Sequence, residues 1–423
     1  RAWLVAGLLV IVLCGLILEL GEPYYFTQDD NYSQFFPGML YGCRSLFAGA
    51  LPNWNPHQFL GAPLAEVGTY ALTYPGTYLS YALATYVLGD ELATCEVFCW
   101  LHLVGGFAAF FWLGRRLRLS PPISAAMALS FVLCGYALIG SRSWYYMAPT
   151  FLWAPLLGVS VHALVKRDPG WKWLAGTGLA IGLYFHAGNA QMWAYGVSLF
   201  CLVLLWLALS GTIPRPRLIR AAAAIAIGLG VAAPLLVAQS LGIRDLERVA
   251  GGGGHILGGL HALVFPYPLG KASAPADLGS MHLEYFGQLY YAGTLFTAAW
   301  FAGLLVAWLF PGRLRPLLKN PLFALGLLAL LMCIGEAGVV WYVQAKLPLF
   351  SKFKHPVKVL PFFHFFSLLF GAMVVERLAR VSRWPGRWRS VCFLAVALLL
   401  VYHAWLARPA FYSFSDRPYP EMP

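Results

Sequence analysis

The 423 residues are 60% hydrophobic and only 11% charged, which leaves too few polar side chains to cover a water-soluble globule of this size. The net charge of +12 does not indicate a nucleic-acid partner, because the basic residues stand in small groups between apolar runs and form no long stripe. The composition therefore predicts an all-α, polytopic integral membrane protein whose first partners are membrane lipids.

Apolar runs of about 20 residues, enough for a helix to cross a hydrocarbon core, recur along the chain. They predict about eleven transmembrane helices in one transmembrane domain, residues 1–423, with external loops at 21–91, 241–288 and 341–358. The predicted crossings are residues 2–20, 92–114, 121–140, 149–165, 171–187, 191–210, 218–240, 289–310, 320–340, 359–378 and 390–407.

The segment 70–89 is apolar but interrupted by Tyr, Thr, Pro and Gly. Counting it as a crossing would place the next basic loop outside and invert every later loop. We therefore predict that it forms a juxtamembrane or re-entrant helix within the first external loop.

The basic loops set the predicted orientation. With a cytoplasmic amino terminus, every predicted inside loop carries Lys or Arg, as the positive-inside rule requires. The basic groups on that side are Arg115, Arg116 and Arg118; Lys166, Arg167 and Lys172; Arg215, Arg217 and Arg220; Arg313, Arg315 and Lys319; and Arg377, Arg380, Arg383, Arg387 and Arg389. Among the carboxylates, only Asp168 and Glu376 fall there. Acidic residues contribute little to orientation, so their gathering on the outer side indicates another role.

Two adjacent carboxylates, Asp29 and Asp30, follow the first predicted helix at the outer membrane boundary. Such a pair can act as a general base, a cation site or a hydrated helix cap, and the local sequence alone favours the cap. The Gly, Pro and Asn residues of segment 49–63 predict that this loop is irregular but ordered.

The other two external loops carry a carboxylate and a basic cluster. The second contains Glu284 and the glycine run 251–254, which lacks the residues of a phosphate-binding loop and predicts a mobile flap. The third external loop has cations on the outer side of the membrane, where the positive-inside rule predicts few. These cations indicate either a solvated or headgroup-anchoring loop or a site for a lipid phosphate. Its basic residues are Lys352, Lys354, His355 and Lys358. A carboxylate that faces these lysines across a lipid-accessible groove suits group transfer from a lipid phosphate.

Several short motifs, taken in order, resemble those of the bacterial YfhO family of membrane proteins, within the GT-C class of polytopic glycosyltransferases. The resemblance extends over nearly the whole chain and rests on the order of the motifs more than on any one of them. The motifs lie at residues 30–35, 49–63, 74–75, 188–191, 284–287 and 348–358.

The resemblance implies a GT-C-like enzyme of the bacterial plasma (inner) membrane. It would move a sugar from a polyprenyl-phosphate carrier to an acceptor glycan or lipid on the external or periplasmic face, with no metal or other cofactor. Asp30 matches the position of the family's base, and Asp29 is a neighbour able to share that role. Lys354 and Lys358 stand where such sequences usually have Arg, which keeps the charge but loses the planar fork. The residues expected to bind substrate are Glu284, Lys352, Lys354, His355, Lys358, Gln34 and Gln191.

Other classes of function stay open. A non-catalytic accessory subunit of a larger membrane complex, descended from a GT-C-like ancestor, would use the 16 Trp, 22 Tyr and 29 Phe as partner-facing surface, although interfacial belts explain many of them. A transporter is less favoured, because Glu96 and Glu336 fall near the outer ends of helices and not deep inside. Pigment binding through a histidine such as His102 or His364 is also open, although a histidine inside a helix is more often hydrogen-bonded to another helix.

Overall fold

The computed structural model describes residues 1–57, 61–64, 67–166, 170–244, 260–265, 290–310, 312, 314–347, 350–353, 355–383 and 385–407. This part of the chain is nearly all helical, which confirms the predicted all-α class. The helices are α1 Ala2–Gly21, α2 Phe36–Phe47, α3 Pro75–Ala82, α4 Thr94–Arg116, α5 Pro121–Val132, α6 Ser141–Ser143, α7 Pro149–Lys166, α8 Trp171–His186, α9 Ala190–Leu209, α10 Arg215–Arg244, α11 Thr294–Leu309, α12 Leu314–Leu318, α13 Pro321–Cys333, α14 Val339–Gln344, α15 Leu360–Val381 and α16 Gly386–Ala407. Two short strands, β1 Trp54–Asn55 and β2 Ala62–Pro63, pair antiparallel.

Within the described residues, eight helical segments are long and apolar enough to cross a membrane. They are Ala2–Gly21, Glu91–Arg116, Pro121–Ser143, Tyr145–Val165, Ala190–Leu209, Arg215–Leu241, Pro356–Val381 and Gly386–Ala407. The other predicted crossings coincide with shorter helices, namely α8, α11 and α13. The membrane class is therefore confirmed, while the count of about eleven stays a prediction.

Among the candidate spans, an 18-residue stretch of Pro121–Ser143 is 100% buried and one of Pro356–Val381 is 89% buried, whereas the corresponding stretch of Ala2–Gly21 is only 22% buried. The first two therefore form the centre of the bundle, and α1 presents most of its surface outward. Small residues allow the helices to approach closely, as is usual in membranes. A Cβ atom at Gly106 of α4 would lie only 2.3 Å from the Phe151 carbonyl oxygen of α7.

One end of the bundle gathers basic side chains, and we call it the basic end. The α4–α5 turn, the end of α15 and the start of α16 meet there: the Ser120 amide donates to the Glu376 carboxylate at 2.9 Å, and Arg380 and Arg389 pair with the same carboxylate at 3.0 and 3.8 Å. The start of α10 joins them, because Arg217 donates to the Val165 carbonyl near the end of α7. Four of the five loops predicted to lie inside therefore converge on one end.

The opposite end, where α1 finishes and α4 begins, carries the first external loop, and we call it the loop end. The loop contains more regular structure than predicted: a π-helical turn, Asn31–Phe35, leads directly into α2. Segment 70–89 forms α3 and a second π-helical turn, Leu83–Leu88, which together are too short to cross a membrane. Their placement at the membrane surface stays a prediction.

Candidate active site

Asp30 does not cap the helical turn that follows it. Asp30 precedes the π-helical turn without a side-chain capping bond; instead its Oδ2 accepts a hydrogen bond from the Trp144 indole Nε1 at 2.9 Å. Asp29 has a left-handed backbone with φ of 52°, which Asp tolerates better than most residues. The cap that the local sequence favoured is therefore absent at Asp30, and one oxygen of a half-buried carboxylate is held by a neighbouring loop.

Asn31 fastens the carboxylate pair to the segment 141–145, which we call the clasp. Its side chain is fully buried, and Nδ2 donates to the carbonyl oxygens of Phe26, Ser141 and Arg142 at 2.8 to 2.9 Å. Its Oδ1 accepts from the Tyr145 amide at 3.0 Å. Every polar atom of this amide is thus used, and leaving one of these partners unpaired would cost about 1–3 kcal/mol.

A buried ion pair adds a second link between the clasp and the end of α1. Arg142, whose side chain is 3% exposed, donates from Nη2 to both oxygens of Glu22 at 2.6 Å. The guanidinium also lies 5.5 Å from the centre of the Tyr25 ring. Because a buried charge deprived of its partner is strongly destabilising, this pair fixes the position of the clasp relative to α1.

The first turn of α4 holds the start of the loop. Glu96, near the beginning of α4, accepts from the Phe26 amide at 2.8 and 3.0 Å and from the Thr27 hydroxyl at 3.0 Å. The short stretch from Phe26 to Asn31 is therefore anchored at both ends. Asp29 and Asp30 lie between these anchors, so their backbone has little freedom to move.

The environment of Asp29 alters its protonation. Desolvation by surrounding atoms raises the pKa of this carboxyl above its ordinary value, and the Asp30 carboxylate adds to the effect, while a hydrogen bond from Ser143 and the charge of Arg142 oppose it. Part of the side chain still reaches solvent. Asp29 therefore releases its proton less readily than an unperturbed Asp side chain.

The segment predicted to form the third external loop packs against Tyr195, near the beginning of α9. The Phe350 and Phe353 rings lie 5.5 and 5.4 Å from the Tyr195 ring, measured between centroids. Lys352 lies between these two phenylalanines in the 3-10 turn Phe350–Lys352, and Lys358 lies in the next 3-10 turn, Pro356–Val359. Both lysines are half-buried. His355, an exposed residue with φ of 57°, precedes Pro356 and joins the two turns.

Gln191 belongs to the same cluster as the third loop. Its Nε2 donates to the Tyr195 hydroxyl at 3.3 Å, and Gln344 of α14 donates to the same hydroxyl at 2.7 Å. Gln191 is therefore a buried residue that helps to hold Tyr195, against which Phe350 and Phe353 pack. Gln34, by contrast, is exposed beside the carboxylates. We call residues 350–358 the lysine segment.

The carboxylates and the lysine segment lie at the same end of the bundle. Phe35 packs edge-on against Tyr146 just after the clasp, with ring centroids 5.0 Å apart. Tyr146 in turn lies close to Gly188: a Cβ atom added at Gly188 would be 2.9 Å from the Tyr146 Cβ atom. Gly188 lies just before the beginning of α9. These contacts run from Asp30 through the clasp and the start of α9 to Phe353.

Some predicted site residues lie outside the described residues. These are Glu284, Lys354 and the glycine run 251–254. The predicted roles of Glu284 and Lys354 and the predicted flap therefore stay predictions.

Two cavities open at the loop end, and neither is lined by Asp29 or Asp30. One, of about 590 Å³, lies between α1 and α4 and has Glu19, Glu96 and Trp100 among its lining residues. The other, of about 600 Å³, lies between α2 and α3 beside Phe47 and Tyr78. Both have largely apolar walls, which suit lipid or other apolar groups more than a bare sugar.

The sequence interpretation missed the clasp. Arg142 and Trp144 follow a predicted crossing on the outer side, where the orientation rule predicts few cations. Arg142, like the lysines of the third external loop, is a cation on the side where few are expected, so the same rule predicts it as a site residue. No local signal identifies Trp144, because its partner Asp30 is 114 positions away in the chain.

The chain matches no protein family model and no curated protein. Among solved structures it is similar to the crystal structure of ArnT from Cupriavidus metallidurans bound to undecaprenyl phosphate, with 12% sequence identity and a TM-score of 0.44. The similarity covers 95% of this chain and 74% of that one. A likeness of this size carries no argument about function, so the candidate site rests on the residues of this chain.

Proposed function

We propose that the chain is a GT-C-like membrane glycosyltransferase, which moves a sugar from a polyprenyl-phosphate carrier to an acceptor hydroxyl on the non-cytoplasmic face. The observation that carries the proposal is that Asp29 and Asp30 lie at the same end of the bundle as the lysine segment around Phe353. The resemblance of several motifs to those of YfhO-like proteins supports the same class.

In the proposed reaction Asp30 takes the proton of the acceptor hydroxyl as the acceptor oxygen attacks the anomeric carbon of the sugar. The bond between that carbon and the carrier phosphate breaks, and the bonding electrons leave with the phosphate. Lys352 and Lys358, with Lys354 in the same segment, stabilise the phosphate charge. The Trp144 hydrogen bond to Oδ2 leaves Oδ1 of Asp30 to receive the proton.

The proposal is tested with Asp30→Asn in the full chain reconstituted into membranes. We expect sugar transfer from a polyprenyl-phosphate donor to fall by roughly a hundredfold or more, because the amide is a very poor proton acceptor. Binding of polyprenyl monophosphate and the melting temperature are expected to stay as in the parent protein, because the amide oxygen still accepts from Trp144.

Asp29→Asn is the matched control, because it also removes one carboxylate and Asn tolerates the left-handed backbone. We expect a smaller loss of transfer than with Asp30→Asn, since the proposed reaction assigns the proton to Asp30 and gives Asp29 a supporting role. Full transfer by Asp30→Asn would remove the base assignment. Absence of polyprenyl-phosphate binding by the parent protein, together with stable co-purification of other subunits, would favour the accessory-subunit alternative.

A further inference from the structure

At the basic end, a single arginine lies against two indole rings contributed by different helices. The Arg116 guanidinium carbon, at the end of α4, is 4.6 Å from the Trp112 ring centre and 5.0 Å from the Trp173 ring centre. Trp173 belongs to the first turn of α8, and the two indole centroids are 6.1 Å apart. The rings hold the cation in place by cation–π attraction while Trp112 stays 40% exposed.

The charge of Arg116 is not neutralised by a carboxylate of the described residues. Glu376 is the described carboxylate at the basic end, and it is occupied by Arg380, Arg389 and the Ser120 amide. Within the described part of the chain, the Arg116 Nε is buried without an acceptor. Arg115 and Lys172 flank the two helix ends and are exposed, so the surroundings are cationic. A cationic surface of this kind favours an anionic ligand.

We propose that Arg116, Trp112 and Trp173 form a binding site for the phosphate of an anionic membrane phospholipid. Trp112 belongs to a candidate membrane span, and Trp171, at the start of α8, is 75% exposed, so the site lies where headgroups meet the acyl region. Basic pockets between transmembrane helices, bordered by interfacial aromatics, bind acidic headgroups. This inference is independent of the glycosyltransferase proposal.

The test is a titration of the full chain, in neutral detergent, with short-chain phosphatidylglycerol. We expect Arg116→Gln to weaken binding about fivefold, the effect of one basic residue close to an anionic headgroup. Trp112→Leu, which keeps every charge, is expected to weaken binding as well, because the cation loses one wall of its site. Phosphatidylcholine and inorganic phosphate are expected to compete poorly.

The matched control is Arg387→Gln, which removes one exposed charge from the basic end on a different helix, α16. We expect this variant to bind as the parent protein does. An equal loss in Arg387→Gln and Arg116→Gln would show diffuse attraction and overturn the site, as would equal binding of phosphatidylcholine or full competition by inorganic phosphate. If Arg116→Gln does not fold, the binding of Trp112→Leu is compared with that of Arg387→Gln. Weaker binding by Trp112→Leu alone supports the site, and an equal effect of the two substitutions overturns it.

Discussion

At the scale of single residues, the contact between Trp144 and Asp30 defines what the candidate site can do. The indole donates to one carboxylate oxygen, Oδ2, and so leaves the other oxygen for the acceptor hydroxyl of the proposed reaction. The bond also fixes the rotation of a side chain that is otherwise half-open to solvent. In the proposed reaction Trp144 is therefore a positioning residue that acts through Asp30.

Trp144→Phe keeps an aromatic ring and removes only the indole donor. We expect kcat for sugar transfer to fall about tenfold, because a hydrogen bond to a charged group contributes about 1.5–3 kcal/mol. KM for the lipid donor is expected to stay unchanged, because the lysine segment is untouched. Steady-state kinetics over both substrates measure this separation.

Trp171→Phe is the control for this substitution, since it removes an indole at the basic end, far from Asp30. Its kcat is expected to match that of the parent protein. A rise in KM with unchanged kcat in Trp144→Phe would contradict the positioning role, and an equal loss in both variants would indicate a general effect on the fold.

The sequence indicated the carboxylate pair and the lysine segment but not how either is held. Asp29, Asp30 and Lys358 stand out locally, because charges beside apolar runs are rare. The bonds of Asn31 and Arg142 join positions more than a hundred residues apart, and a single sequence carries no signal of such pairs. The roles of these residues therefore came from the structure alone.

At the scale of elements, the helix α2 was absent from the sequence interpretation. Pro37 and Gly38 in its first turn resemble turn signals, yet Pro is favourable at the start of a helix. Gly38 also permits the close approach of Tyr70, whose ring would lie 2.6 Å from an added Cβ atom. Gly38 therefore allows α2 to pack closely against segment 68–70, and it does not interrupt the helix.

Glycine at helix contacts leads to a prediction for α4 and α7. Gly106→Ala places a methyl group against the Phe151 carbonyl oxygen, a backbone atom that cannot turn aside. We expect a loss of about 1–3 kcal/mol of stability, because the helices must separate. Thermal unfolding in detergent measures the change.

Gly230→Ala in α10 is the comparison, because nothing lies within 4 Å of an added Cβ atom at that position. This substitution is expected to be neutral or to stabilise by up to about 1 kcal/mol, the difference in helix propensity between Gly and Ala. If Gly106→Ala melted at the same temperature as Gly230→Ala, the contact between α4 and α7 would be looser than the structure shows.

At the scale of the whole molecule, the two ends of the bundle differ in charge as the positive-inside rule predicts. The apolar runs predicted where most crossings lie, because about 20 apolar residues in a row have few alternatives to a membrane helix. The sequence could not fix the number of crossings. Thr294–Leu309 and Pro321–Cys333 are shorter than the candidate spans, so whether each crosses depends on how the neighbouring helices surround it.

The orientation can be measured with cysteines placed at each end. Ser33→Cys lies at the loop end and Arg387→Cys at the basic end, and both parent side chains are exposed. In intact cells we expect a membrane-impermeant maleimide to label Ser33→Cys and to label Arg387→Cys only after permeabilisation. The parent chain reports any background from its own cysteines. The reverse pattern would place the amino terminus outside and the carboxylates in the cytoplasm, contrary to the proposed transferase.

The buried amide of Asn31 also bears on how this protein is produced. Residues 31–33 spell Asn-Tyr-Ser, a signal for attachment of N-linked glycans in a secretory pathway. Because this amide is enclosed and its hydrogens are already engaged, the finished molecule offers no target to an oligosaccharyltransferase. A glycan added during synthesis would prevent the loop from docking on the clasp, so a bacterial host suits recombinant expression.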